Sequence, residues 1–299
     1  MAQPLEIHRV LTEDGVTLQI AWMAPRAPGT PVLLVTHGVG NSFTLSGLWV
    51  VCQLLAAEGW GVAMVSNRGH DWVAMNPGDR RWIGAAYERI EESALDFQAS
   101  LHWLRGRGHQ RVVIGGHSLG GLKATYTQAH FPAPEVIALA MFSSPRLPDE
   151  QVWDWGAHQQ LLARCEEMVA QGRGEELMHV DMPTNTPAMK GLMCYRTYIN
   201  KYGPDAATTA LRYADRIRVP TFLLAGEFEK PQLSFSIDME KALVNAPSVQ
   251  RVMVEGCDHV YTGKHEAVAQ AAHAWLAQLE TGPVRTGPER AAPAASASS

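Results

Sequence analysis

Apolar residues fall along this chain in two rhythms. Val32-Leu33-Leu34-Val35-Thr36, Gly61 to Ser66, Arg111 to Ile114, Val136 to Phe142, Val219 to Ala225 and Val249 to Val254 are short, nearly continuous apolar runs. Such runs predict strands buried on both faces. Leu5 to Val10 and Val16 to Met23 instead alternate apolar and polar positions, with Glu13-Asp14-Gly15 between them. That pattern predicts an antiparallel hairpin with an Asp-Gly turn. The intervening stretches have helical spacing. Helices are predicted over Leu45 to Glu58, closed by Gly59; Ala85 to Gly106, with Ile90, Ala94, Phe97, Leu101 and Leu104 on one face; Leu119 to about His130, stopped by Pro132; Ser236 to Asn245; and His265 to Leu279.

Strands alternating with helices predict an α/β fold, a mostly parallel sheet with helices on both faces. Between Pro148 and about Arg218 the rhythm breaks. Gln151 to Ala170 and Lys190 to Tyr202 read as helices, with polar loops around Gly172-Gly174 and Pro183-Pro187 and no buried strand. This predicts a helical cap inserted over residues 148–218, with Trp153, Trp155, Tyr195, Tyr198 and Tyr202 packing its core or, for one or two of them, lining the substrate pocket. The core then comprises 1–147 and 219–280. Residues 281–299, rich in Ala, Pro, Ser and Gly, read as a disordered tail.

Composition narrows the function classes. A length of 299 residues allows a large core in one domain or two, and 46% hydrophobic with 18% charged residues is ordinary for a globular protein. A net charge of −5 provides no electrostatic footprint for nucleic acid or an anionic membrane. Met1-Ala2-Gln3-Pro4 leads straight into the first alternating segment, so no secretory signal is expected, and no apolar run approaches the ~18 residues of a membrane span. Cys52, Cys165, Cys194 and Cys257 are scattered without a C-x-x-C, which suits buried, reduced thiols in a cytoplasm. No pair of His, Asp or Glu residues has metal-ligand spacing in a supporting context, and no cofactor is expected.

Candidate chemistry centres on Gly116-His117-Ser118-Leu119-Gly120, a G-x-S-x-G directly after a buried strand and before a helix. A nucleophile on so sharp a turn needs small residues two places to either side, where a side chain would strike the neighbouring helix and strand. With 26 glycines the five-residue pattern alone is weak. Two rival readings of the glycines fail: Leu122 and Lys123 stand where a phosphate loop requires Lys and Ser/Thr, and G-x-G-x-x-G is absent. His117, beside the serine, is read as packing and pointing away from the turn. After the first buried strand, His37-Gly38-Val39-Gly40 lets backbone N–H groups approach a ligand, with Val39, or alternatively Gly40, as an oxyanion donor partnering Leu119. His70 and Asp71 are adjacent on the next loop. Neighbouring loop residues seldom face one another, so a structural or pocket-rim role is expected. Trp72, Met75 and Trp82 follow them as a pocket wall or as packing. Later strands end at Gly226-Glu227-Phe228-Glu229 and at Glu255-Gly256-Cys257-Asp258-His259. Ligands of parallel sheets bind beyond the carboxyl ends of the strands, where Val39, Ser118, Glu229 and His259 all fall.

The order Ser, Glu, His and these four motifs resemble a serine α/β-hydrolase of the capped kind, over about Leu5 to Leu279. The resemblance implies an eight-stranded sheet with its second strand antiparallel and a cap after the sixth strand. It also implies an acid three residues after a glycine beyond the seventh strand. The family places Asp there and this chain has Glu229, a departure that leaves Glu227 as a rival. Ser118 would be the nucleophile, His259 the base, Glu229 its orienting acid, and Val39 and Leu119 N–H the oxyanion donors. The expected substrate is a small-molecule carboxylic ester or lactone. A thioesterase or acyltransferase acting on a carrier-bound acyl chain, or a non-catalytic binding protein, are the alternatives.

Overall fold

The computed structural model describes residues 4–181 and 190–280. The predicted tail and the loop around Pro183-Pro187 lie outside them. The chain opens with β1 (Glu6–Leu11) and β2 (Thr17–Met23), then β3 (Val32–Thr36), α1 (Leu48–Glu58) and β4 (Gly61–Ser66). A two-residue ribbon, β5 (Ala74–Met75) and β6 (Trp82–Ile83), leads to α2 (Ser93–Arg105), β7 (Val112–His117), α3 (Leu119–His130) and β8 (Val136–Phe142). Outside the sheet follow α4 (Trp155–Ala170), β9 (Leu177–Asp181), β10 (Lys190–Cys194), α5 (Tyr195–Tyr202) and a 3₁₀ helix (Ala210–Arg216). The chain then closes with β11 (Thr221–Gly226), α6 (Lys230–Ala242), β12 (Val249–Val254) and α7 (His265–Glu280).

Eight strands form one sheet in the order β1-β2-β4-β3-β7-β8-β11-β12. β2 is antiparallel to both β1 and β4, and every pair from β4 across to β12 is parallel. Apolar runs end up here because side chains alternate between two covered faces. Val32, Leu34, Val112 and Ile114 point into a core with α2, α3 and α6, while Leu33, Val35 and Val113 point into a second core with α1 and α7. The carboxyl ends of β3, β7, β8, β11 and β12 therefore share one edge. No helix among the described residues is long and apolar enough to cross a membrane.

The structure departs from expectation in places with identifiable causes. Residues 190–194 are a strand, not the start of a helix, and pair antiparallel with β9, so the insert does contain a ribbon. Gly191 and the following apolar pairs suit such a ribbon, and α5 begins only at Tyr195. The helix predicted from Ala85 begins at Ser93. Residues 84–92 instead form a shelf on which the insert docks. Cys194 N–H donates to Ala86 O at 2.9 Å, Lys201 Nζ to Ala85 O at 2.9 Å, and Ile90 N–H to Asn200 Oδ1 at 2.9 Å. α6 starts at Lys230, not Ser236, with Pro231 in its first turn, a position where proline is pre-organised for a helix. α1 starts at Leu48, not Leu45. As expected, aromatic rings pack the insert: Trp153 lies 5.2 Å from Tyr202 and Tyr198 lies 5.0 Å from Tyr202, centroid to centroid.

A buried charge cluster fixes insert to core. Glu88 pairs with Lys123 of α3, and Lys201 Nζ of α5 lies 2.6 Å from Glu88 Oε1, in a bent geometry that makes an ion pair rather than a directed hydrogen bond. Burial pushes the Glu88 carboxyl up, but the two ammonium groups outweigh it and hold it at about 2. Burial pulls the Lys201 ammonium below its ordinary value against the attraction of Glu88. Gly69 leaves room for the cluster, since a Cβ there would sit 1.8 Å from Glu88 Oε2. Glu88→Leu strands two buried cations, so an unfolding titration should show a loss of about 3–5 kcal/mol. With a depressed folded-state pKa, Glu88 contributes stability that is complete above the ordinary Glu range and is lost as pH falls toward about 2. The wild type should therefore lose more stability than Glu88→Leu on acidification between those limits.

Candidate active site

Ser118 is the hinge between β7 and α3. Its φ of 55° and ψ of −123° are strained for a residue with a Cβ. The surrounding glycines make that turn possible. A Cβ on Gly116 would sit 2.5 Å from the Gly120 carbonyl carbon, and one on Gly120 would sit 2.6 Å from the carbonyl oxygens of Thr36 and His37. Four of the five non-glycine residues with positive φ among the described residues (Asp71, Ser118, Ser143 and Tyr261) stand in loops at this sheet edge. Leu119 opens α3, so its N–H has no preceding helical turn to bond into.

His259 and Glu229 meet although they lie on different loops. His259 Nδ1 is 2.5 Å from Glu229 Oε1. A carboxylate oxygen accepts, so Nδ1 carries the proton and the Nε2 lone pair is left for other work. Glu229 is deeply held: its side chain is 3% exposed, against 39% for His259. The second oxygen, Oε2, accepts from Gly226 N–H at 2.6 Å and from Ser143 Oγ at 2.6 Å. Tyr261 O–H in turn donates to Ser143 Oγ at 3.0 Å. Burial, then the nearby Glu229, pushes the Tyr261 phenol well up, which keeps it a donor. Glu227, the rival acid, turns away to accept the Gly256 N–H at 2.8 Å. Ser118 Oγ has no hydrogen-bond partner among the described residues.

The loop after β3 lies directly under the serine. A Cβ on Gly38 would sit 3.0 Å from Ser118 Cβ and 3.4 Å from its Oγ. His37 sets the loop's shape. Its Nε2 accepts the Asn67 N–H at 3.2 Å, so Nδ1 holds the proton and donates to Gly38 O at 2.8 Å. Burial, then Lys123, pulls this imidazole down to about 3, so it stays neutral. The next loop braces it from outside: Asp71 N–H donates to Asn41 O at 3.1 Å, and a Cβ on Gly40 would meet the Trp72 ring at 3.0 Å. Here His70 and Asp71 do face one another, contrary to expectation. The positive φ of Asp71, 56°, folds its carboxylate back to 2.8 Å from His70 Nδ1. Met75 and Trp82 pair across the β5-β6 ribbon and are both exposed.

A cavity of about 220 Å³ opens beside this edge between residues 146–151, 208–211 and Phe235, and none of Ser118, Glu229 and His259 lines it. A rival nucleophile is not at hand: burial, then Glu229, pushes the Cys257 thiol up to about 11, and the three other cysteines are also buried.

A family model described as the alpha/beta hydrolase family matches residues 32–271. The chain belongs to that family. No curated protein matches the sequence. Among solved structures, DcsB in complex with its substrate analogue superposes with a TM-score of 0.70 at 15% identity, covering 93% of this chain and all of that one (100%). Dienelactone hydrolase from Anabaena variabilis has a TM-score of 0.59 at 17% identity over 93% of this chain and 99% of its own. Est1E from Butyrivibrio proteoclasticus with ferulic acid bound has 0.62 at 15% identity over 90% and 98%. At these identities the likeness establishes the fold.

Within the hydrolase fold, the structure brings together Ser118, Glu229, His259, Leu119 and the Val39 loop on one edge. It adds residues the sequence did not signal. Ser143 could have been noticed as the first residue after the strand flanking the elbow strand. Nothing in the sequence marked Tyr261 or the His37 tautomer. His117 does not point away, and its Nε2 lies 2.7 Å from the His259 carbonyl oxygen.

Proposed function

We propose that the protein is a serine hydrolase that cleaves a carboxylic ester or lactone of a small acyl compound through an acyl-enzyme on Ser118. The observation that carries this reading is the 2.5 Å contact between His259 Nδ1 and Glu229 Oε1, on loops that share the sheet edge with the strained Ser118. His259 Nε2 takes the Ser118 proton as Oγ attacks the carbonyl carbon, and Glu229 stabilises the imidazolium that forms. Contacts between base and nucleophile commonly tighten only once substrate is bound. Leu119 and Val39 N–H stabilise the tetrahedral oxyanion, and losing one such donor costs roughly 10²–10³-fold in kcat. The imidazolium proton passes to the leaving oxygen as the C–O bond breaks. Water, deprotonated by the same nitrogen, then attacks the acyl-enzyme and frees the acid and Ser118.

Fold neighbours named for lactone or ester hydrolysis favour an ester or lactone for this chain. Dienelactone hydrolase and a Pyrococcus furiosus esterase share the fold, the latter with a TM-score of 0.60 at 18% identity. Residues 148–218 act as the cap that selects the acyl group, held down by Glu88. Four buried free thiols favour a reducing compartment such as the cytoplasm.

A panel of p-nitrophenyl esters of rising chain length, simple lactones and acyl thioesters, assayed as kcat/KM, tests the assignment. Oxygen esters or lactones should outrun thioesters of the same acyl chain. Preferred turnover of thioesters moves the reading to the carrier-bound class. No turnover of any of them, together with no labelling by a fluorophosphonate, leaves a binding protein.

A further inference from the structure

His117 directly precedes the nucleophile and touches the base, in a position that packing alone does not require. Its ring is buried, at 2% exposure, and lies 4.7 Å from the His259 ring and 5.4 Å from the Tyr261 ring, centroid to centroid. Its Nε2 lies 2.7 Å from the His259 carbonyl oxygen. That oxygen can only accept, so Nε2 carries the proton. Burial, then the charge of His259, pulls the imidazole down to about 3, so Nδ1 is a bare acceptor. It is buried without a partner among the described residues. An unpaired buried acceptor is unfavourable, by about 1–3 kcal/mol. A leucine or methionine would avoid that penalty. What an apolar residue lacks is the N–H.

We propose that His117 is a positioning residue for the base: through its Nε2–H bond to the main chain of His259 it fixes the height of that imidazole above Ser118. The reasoning is geometric. His259 sits on a loop and its side chain is far more exposed than that of Glu229, so Glu229 orients its ring but its backbone needs a separate anchor. His117 is the residue directly before Ser118, on the last position of β7, a strand buried at every position. Bonding the base's own carbonyl to it ties base and nucleophile to a single rigid strand. The neutral form is essential, since a cation at this place would oppose the imidazolium that His259 becomes during turnover.

This inference rests on the serine-hydrolase reading, and its test separates the two. His117→Gln retains an N–H at nearly the reach of Nε2, whereas His117→Met fills the space without a donor. Misplacing a catalytic group by about 1 Å costs on the order of 100-fold. His117→Met should therefore lose at least about tenfold in kcat, with KM within about twofold, and should react with a fluorophosphonate correspondingly more slowly. His117→Gln should recover most of both rates, and thermal melts of the two variants should not differ in step with their activities. Equal activity of His117→Met and wild type overturns the proposal, as does equal impairment of the two variants, which would make His117 a packing residue. A wild type that is itself unlabelled and inactive overturns the hydrolase reading, and this inference with it.

Discussion

Ser118→Ala should all but abolish ester turnover while leaving the fold as stable as before. The loss should be at least about 10⁴-fold in kcat, because without Oγ no covalent intermediate forms and only binding and oxyanion stabilisation remain. Stability should change by no more than about 0.5 kcal/mol. Among the described residues Ser118 Oγ has no hydrogen-bond partner to lose, and alanine meets the same strain at φ 55° that serine already bears. The combination is diagnostic. A residue that served only to shape the turn would alter the melting temperature along with the rate. The check is kcat on the best ester of the panel, beside a thermal melt of the same sample. Residual turnover within tenfold of wild type would remove Ser118 from the chemistry.

The second large effect separates two glutamates two residues apart. Glu229→Gln should lower kcat by about 10³–10⁴-fold. The reason lies in the partners of Oε2. Gly226 N–H is a fixed donor at 2.6 Å, so the amide must keep its oxygen there or set NH₂ against N–H. Keeping the oxygen at Gly226 turns NH₂ toward His259 Nδ1. The imidazole then protonates on Nε2, where it can no longer take the serine proton. Glu227→Gln should leave kcat within about twofold, since Glu227 Oε2 accepts the Gly256 N–H at 2.8 Å on the exposed side of the loop, and exposed substitutions of this kind are near neutral. Steady-state kinetics of the two variants decide it, and the reverse order would move the acid to Glu227.

What was legible in the sequence follows from what local pattern encodes. The buried strands were visible because a strand covered on both faces must be apolar throughout. The elbow was visible because its two glycines are demanded by contacts under 3 Å with main chain. The positions of Glu229 and His259 followed from each standing just beyond a strand end. The rest depends on contacts between distant segments. Residues 85–92 have helical spacing but are recruited to hold Cys194, Asn200 and Lys201 of the insert, and that docking overrides propensity. β10 was hidden because five residues beside a real helix, α5, read as its first turn. The Tyr261–Ser143–Glu229 chain joins residues up to 118 positions apart, which no periodicity reveals. The contact between His70 and Asp71 was not legible because the left-handed backbone at Asp71 goes with its bonds to neighbouring loops, not with the dipeptide.

The most direct test of the central claim is to catch the acyl group on the enzyme. A p-nitrophenyl ester mixed with the protein and quenched in acid within the first turnover should yield protein heavier by one acyl group. Proteolysis should place that mass on the peptide containing Ser118, with none in Ser118→Ala. Turnover at the full rate with no adduct at any quench time, or an adduct on another residue, would contradict an acyl-enzyme at Ser118.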